Sequence, residues 1–88
     1  PEIKDKYDLK SVRKLEKAKS DLAKATDQYE KIKERIQLYH QKLHVEQEKN
    51  NVGKVGKIQD DIEKQKKNAE KAKEKINKAQ AKIDELEG

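Results

Sequence analysis

Two histidines have the spacing that most readily suggests chemistry. His40 and His44 stand four residues apart, which places both imidazoles on one face of a helix, and Glu48 continues that face. A protein zinc site needs three or four ligands and an outer layer of supporting hydrogen bonds, whereas an ion at one helix edge would lie open to water. We therefore predict no metal site and no cofactor.

Catalysis is not expected either. The chain contains no Cys, and neither histidine has a serine partner that two helices would enclose in a dry pocket. Gly53 and Gly56 fall in a predicted turn and not in a phosphate-binding loop. The sequence thus predicts no catalytic residue and a protein that is not an enzyme.

The lysines are the remaining candidates for a functional site. Their positions depend on the secondary structure that carries them. In 88 residues, 47% are charged and only 31% hydrophobic, too few to fill a globular core. Lys, Glu, Ala, Gln and Leu with a single Pro are typical of long helices. We expect one thin, helical domain, and its net charge of +5 favours acidic partners.

Apolar or small residues recur at heptad spacing on both sides of a predicted turn. The first set is Leu15, Ala18, Leu22, Ala25, Tyr29, Ile32, Ile36, Tyr39 and Leu43. The second set is Ile58, Ile62, Gln65, Ala69, Ala72, Ile76, Ala79, Ile83 and Leu86. Each residue of the first set pairs with the residue of the second whose number brings the sum to 101. This pattern predicts an all-α fold, an antiparallel two-helix coiled-coil hairpin.

The hairpin is predicted to be a single domain with a helix at about 2–49, a turn at about 50–56 and a helix at about 57–87. Asn50 and Asn51 tolerate the left-handed conformation that ends helices, and Gly53 and Gly56 would permit the reversal. The long first helix overhangs at its N-terminal end, since residues 1–14 have no partner in the pairing. The apolar residues of this overhang are predicted partner contacts, through which a homodimer or larger helical assembly would form: Ile3, Tyr7, Leu9 and Val12.

The heptad register also sorts the exposed charges. With Leu15 as position a, the c and g positions share one side of the hairpin, here called the basic flank. Its cations are Lys17, Lys24, Lys31, Arg35, Lys42, Lys57, Lys64, Lys71, Lys75, Lys78 and Lys82, against the acids Asp21, Asp61 and Glu85. The opposite b and e side carries four lysines and six carboxylates. Across the helices the register brings Asp21 towards Lys82, Lys42 towards Asp61 and Lys33 against Lys66.

A lysine-rich flank of this kind favours a polyanionic surface, and we expect anionic phospholipid. The alternative is a solvated face with no partner. Nucleic acid is less favoured: two of the three tyrosines lie at seam positions, which leaves little aromatic surface for stacking on bases, and Arg35 is the flank's single arginine. Contact with a structured RNA through its shape stays open.

Several short stretches resemble a known family. PEIK at 1–4, KSVRKL at 10–15 and KAQA at 78–81 are similar to the second-to-third-helix region of BAR domains, of the amphiphysin and sorting-nexin kinds. KIQ at 57–59 and IE at 62–63 resemble the start of the third helix in the sorting-nexin group. The resemblance implies the distal arm of a banana-shaped dimer that binds and bends membranes, cytoplasmic and peripheral to the membrane, with residues 1–14 in the body of the dimer.

Two other functions remain as hypotheses. One is a protein-interaction or spacer hairpin, such as a GTPase-binding finger or a structural rod, with contacts through Ile3, Leu9, Val12, Leu38 and Val45. The other is an RNA-binding arm, similar in architecture to the coiled-coil arm of seryl-tRNA synthetase.

Overall fold

Two antiparallel helices joined by a tight turn make up the described chain. The structure is a computed structural model and describes residues 9–88. Helix α1 comprises Leu9–Glu48 and helix α2 comprises Val52–Glu87, and this part of the chain contains no strand. The molecule is a rod with extents of 71 × 15 × 14 Å. The predicted all-α helical hairpin is confirmed.

The seam between the helices is the one that the heptads predict. The buried residues are all alanines or isoleucines from the two predicted sets: Ala18, Ala25, Ile62, Ala72, Ala79 and Ile83. The other members of the sets, including Tyr29, Tyr39 and Gln65, are half-buried. A seam between only two helices has no third layer to cover it, so the larger side chains keep one edge in water.

The turn is shorter than the sequence suggested. Asn50 has φ 58°, the left-handed conformation, and its N–H donates to the carbonyl of Gln47 at 3.1 Å. The N–H of Asn51 donates to the carbonyl of Glu46 at 3.0 Å. These two hydrogen bonds form a Schellman motif, which satisfies the free carbonyls at the end of α1. Asn51 also precedes α2 directly, and its carbonyl accepts the N–H of Val55 at 3.0 Å.

The predicted turn at 50–56 is therefore wrong, because α2 begins at Val52 and not near residue 57. Gly53 and Gly56 lie inside α2, and neither has a positive φ. One left-handed residue, Asn50, is enough to reverse the chain, so the glycines are not required for the reversal. The earlier start of α2 adds a layer to the seam, in which half-buried Glu46 and Val55 continue the heptads and again sum to 101.

The N-terminal part of α1 carries apolar side chains that the hairpin does not cover. Leu9 is 61% exposed and Val12 is 39% exposed. This agrees with the prediction that they lie off the seam. Ile3 and Tyr7, the other predicted partner contacts, lie outside the described residues.

Candidate polyanion-binding flank

The basic flank lies along a row of three grooves between the helices. The groove farthest from the turn is bordered by Lys17, Lys24, Lys75, Lys78 and Lys82. The middle groove is bordered by Lys31, Arg35, Lys71 and Lys75, and the groove at the turn by Lys42 and Lys57. Lys64 is exposed but borders none of these three grooves. The structure thus brings together ten of the eleven predicted cations on one side of the rod.

Two further lysines on the same side were missed by the sequence interpretation. Lys14 borders the groove farthest from the turn, and Lys54 borders the groove at the turn. Both occupy g positions of the same register. Lys14 lies one residue before the first seam residue, and Lys54 had been assigned to the turn. Extending the heptads in both directions would have found both residues.

Most cations of the basic flank have no anionic partner among residues 9–88. Lys31 is paired with Asp27, with 3.0 Å between Nζ and Oδ2. The other ten members make no ion pair within 4.0 Å in the described part of the chain. Within the described residues no ion pair neutralises their positive charge, which is therefore available to an external anion.

The opposite side neutralises part of its own charge. Lys19 Nζ lies 3.8 Å from Glu87 Oε2, a pair that joins the two helices, and Lys66 Nζ lies 3.8 Å from Glu63 Oε1. Lys33 lies over the ring of Tyr29, with Nζ 5.4 Å from its centroid. Lys33 and Lys66, which the register predicts to repel each other, thus each have a partner on their own helix.

The ion pairs predicted across the basic flank do not form within the described residues. Asp21 and Lys82 border one groove, and Lys42 and Asp61 border another, but neither pair comes within 4.0 Å in the described residues. Lys42 Nζ lies instead 6.0 Å from the centroid of the Tyr39 ring. Exposed ion pairs contribute only about 0–1 kcal/mol, too little to hold a mobile lysine side chain.

The two histidines lie on the surface of α1. His44 Nε2 lies 3.1 Å from Glu48 Oε1, one turn along α1, and both side chains are exposed. His40 borders a small groove on the side opposite the basic flank. Within residues 9–88 no group of three or more possible metal ligands comes together.

The fold and the flank define a class of protein, an antiparallel helical hairpin whose positive charge is concentrated on one side. Neither α1 nor α2 is long and apolar enough to cross a membrane. Comparison with protein-family models, with curated proteins and with solved structures finds no match for the chain.

Proposed function

We propose that the hairpin is a non-catalytic arm that lies along an anionic membrane and contacts it through the basic flank. The observation that supports this is a set of ten cations along one side of the rod that make no ion pair within residues 9–88. A bilayer surface is flat on this scale, so a straight row of lysines can approach many headgroups at once. Each basic residue near such a surface contributes about 1 kcal/mol to binding. Several together would therefore hold the hairpin on the membrane without recognition of a specific headgroup.

The wider assembly is also part of the proposal. Leu9 and Val12 at the start of α1 are exposed in the described part of the chain. An arm of a BAR-like assembly would bury them against a second copy or another helix of the assembly, which leaves the basic flank free for lipid. The proposed location is peripheral to a membrane, on its cytoplasmic side.

The test is co-sedimentation with vesicles, using two variants of equal charge. One variant reverses four members of the basic flank, namely Lys24, Lys31, Lys64 and Lys71, to Glu. Its control reverses the four lysines of the other side, namely Lys19, Lys33, Lys66 and Lys73, to Glu. Each variant changes the net charge by the same amount, so only the position of the charge differs.

The unmodified chain should sediment with phosphatidylserine vesicles at low salt and be released as salt rises. The flank variant should lose roughly 4 kcal/mol, about a thousandfold in affinity, and the control should lose much less. Equal losses in the two variants would show that only net charge matters and would contradict the proposal. A structured RNA that displaces the chain from vesicles at lower concentration than lipid would favour an RNA-binding arm instead.

A protein-interaction hairpin is the second candidate, and exposed Leu9 and Val12 favour it. Replacing both by Ser should then weaken self-association or partner binding in sedimentation velocity. In that case the lysine reversals would leave the association unchanged.

A further inference from the structure

The basic flank changes character towards the turn. Along α1 its c positions are Lys17, Lys24 and Lys31, and then Leu38 and Val45. Leu38 is 57% exposed and Val45 is 46% exposed, and the two are one heptad apart on one face of the helix. The α1 c positions farther from the turn are thus all lysines, whereas those nearer the turn are exposed apolar side chains.

These apolar side chains border a groove of about 650 Å³ with a cationic rim. Tyr39 and Ile58 of the seam also line it. The cations at its edge are Lys42, Lys54 and Lys57, and the acids are Glu46 and Asp61. The three ammonium groups outnumber the two carboxylates. Glu46 directs one carboxylate oxygen, Oε2, away from water.

Apolar side chains ringed by lysines suit the boundary between lipid headgroups and acyl chains. Lysine stems cover apolar surface while their ammonium groups stay at the level of the phosphates. The net positive charge of the rim therefore favours an anionic lipid surface over a protein surface that has few acidic residues. The two carboxylates limit the contact to shallow depth, because a charge within the hydrocarbon is costly.

We propose that Leu38 and Val45 insert into this boundary of an anionic bilayer, so that the half of the hairpin nearest the turn is anchored and the other half is held by charge alone. The proposal rests on the function proposed above and adds to it a polarity along the rod. Contact occurs through the side of the hairpin and not through its end, where Val52 is 82% exposed.

The first measurement is vesicle affinity at raised salt, where the lysine contribution is screened and the apolar one persists. Leu38→Asn together with Val45→Asn should weaken binding by about tenfold or more relative to the unmodified chain. Val52→Asn is the matched control, since it removes a more exposed valine from the same end of the hairpin but off the flank. The affinity of this variant for the vesicles should equal that of the unmodified chain. Circular dichroism should show equal helix content in all three proteins.

The second measurement is fluorescence, because the chain contains no Trp and a single one reports its own surroundings. The emission of Leu38→Trp should shift to the blue with phosphatidylserine vesicles and be quenched by brominated acyl chains. Ala23→Trp, an exposed b position on the opposite side, should show neither effect.

The outcomes separate this inference from the function on which it rests. Salt-sensitive binding of the unmodified chain with no blue shift at position 38 would overturn insertion and leave the electrostatic contact standing. No vesicle binding of the unmodified chain would overturn both. If Leu38→Asn with Val45→Asn abolishes self-association in the absence of lipid, and vesicles leave the emission of Leu38→Trp unchanged, the groove is an interface between copies and insertion is wrong.

Discussion

Two polar oxygens inside the seam are unfavourable for the stability of the hairpin. Within the described residues, Glu46 Oε2 and Gln65 Oε1 are buried without a hydrogen-bond partner. Gln65 lies opposite Ile36, and Glu46 lies opposite Val55, in the layer next to the turn. The heptads identify Gln65 from sequence alone. They could not identify Glu46, because its layer forms only once α2 starts before Val55.

Replacing either residue with Leu should stabilise the hairpin. A buried polar group without a partner costs about 1–3 kcal/mol, and Leu would pack against the apolar residue across the seam. For a chain of this size, each kcal/mol corresponds to a rise in Tm of about 4–8 °C. Thermal unfolding followed by circular dichroism measures the change for Glu46→Leu and Gln65→Leu.

Gln37→Leu is the control for this prediction, since Gln37 is exposed on α1. Its effect should stay within about 0.5 kcal/mol. A fall in Tm on Glu46→Leu, with the control unchanged, would mean that the carboxylate contributes favourably at the turn and that the seam layer there is wrong.

At the scale of the helices, the sequence predicted the pairing well and the turn poorly. The pairing follows from the alternation of three and four residues, repeated over nine layers, and one misplaced residue does not disturb such a pattern. The turn depends on the conformation of one residue, Asn50, beside two glycines that suit a turn equally well. Local propensity does not show whether Asn50 or the glycines reverse the chain. The position of the turn depends on whether Glu46 and Val55 pack against each other across the seam.

The two glycines give a test that separates the observed turn from the predicted one. A Cβ built at Gly53 or Gly56 meets nothing within 4 Å, and both residues lie in α2 with negative φ. Ala should therefore stabilise the helix at each position by about 0.5–1 kcal/mol. Urea unfolding of the two variants measures this change in stability. A loss of stability at both positions would support the longer turn at 50–56 that the sequence predicted.

Asn50 should respond in the opposite sense. At φ 58°, Asn is tolerated because of its short polar side chain, which Ala lacks, so replacement by Ala should cost up to about 1–2 kcal/mol. Asn77→Ala is the matched control, since Asn77 lies in the interior of α2 on its exposed surface, where Ala is the better helix former. The same substitution should thus destabilise the protein at one position and leave it unchanged or more stable at the other.

At the scale of the whole molecule, the register decides which charges share a side. It predicts one flank for eleven cations, and ten of these border one row of grooves. The pairs that it predicted, Asp21 with Lys82 and Lys42 with Asp61, do not form within the described residues, because exposed ion pairs differ little in free energy. Lys31 pairs with Asp27 on its own helix. Lys42 lies near the ring of Tyr39, although the register brings Asp61 towards Lys42.

The register itself can be tested by disulfide cross-linking, because the chain has no cysteine of its own. Leu22→Cys with Ala79→Cys places both thiols in one layer, and Glu46→Cys with Val55→Cys does the same beside the turn. Each pair should oxidise readily, since a narrow layer brings the two backbones towards the spacing that a disulfide requires. Leu22→Cys with Ala72→Cys is the control: its second thiol is displaced by seven residues, about 10.5 Å along the helix, and should not react.

Mass spectrometry and non-reducing gels distinguish the possible results of this cross-linking. A hairpin gives a cross-linked single chain in both same-layer variants. Bridged species of twice the mass would mean that the helices pair between chains, since an opened turn lets two copies exchange their second helices while every layer is retained. Reaction of the Leu22 and Ala79 pair without reaction of the Glu46 and Val55 pair would place the end of the seam before the turn. In that case the register would no longer place Lys54 on the basic flank, whereas Leu38 and Val45 would stay there as c positions of α1.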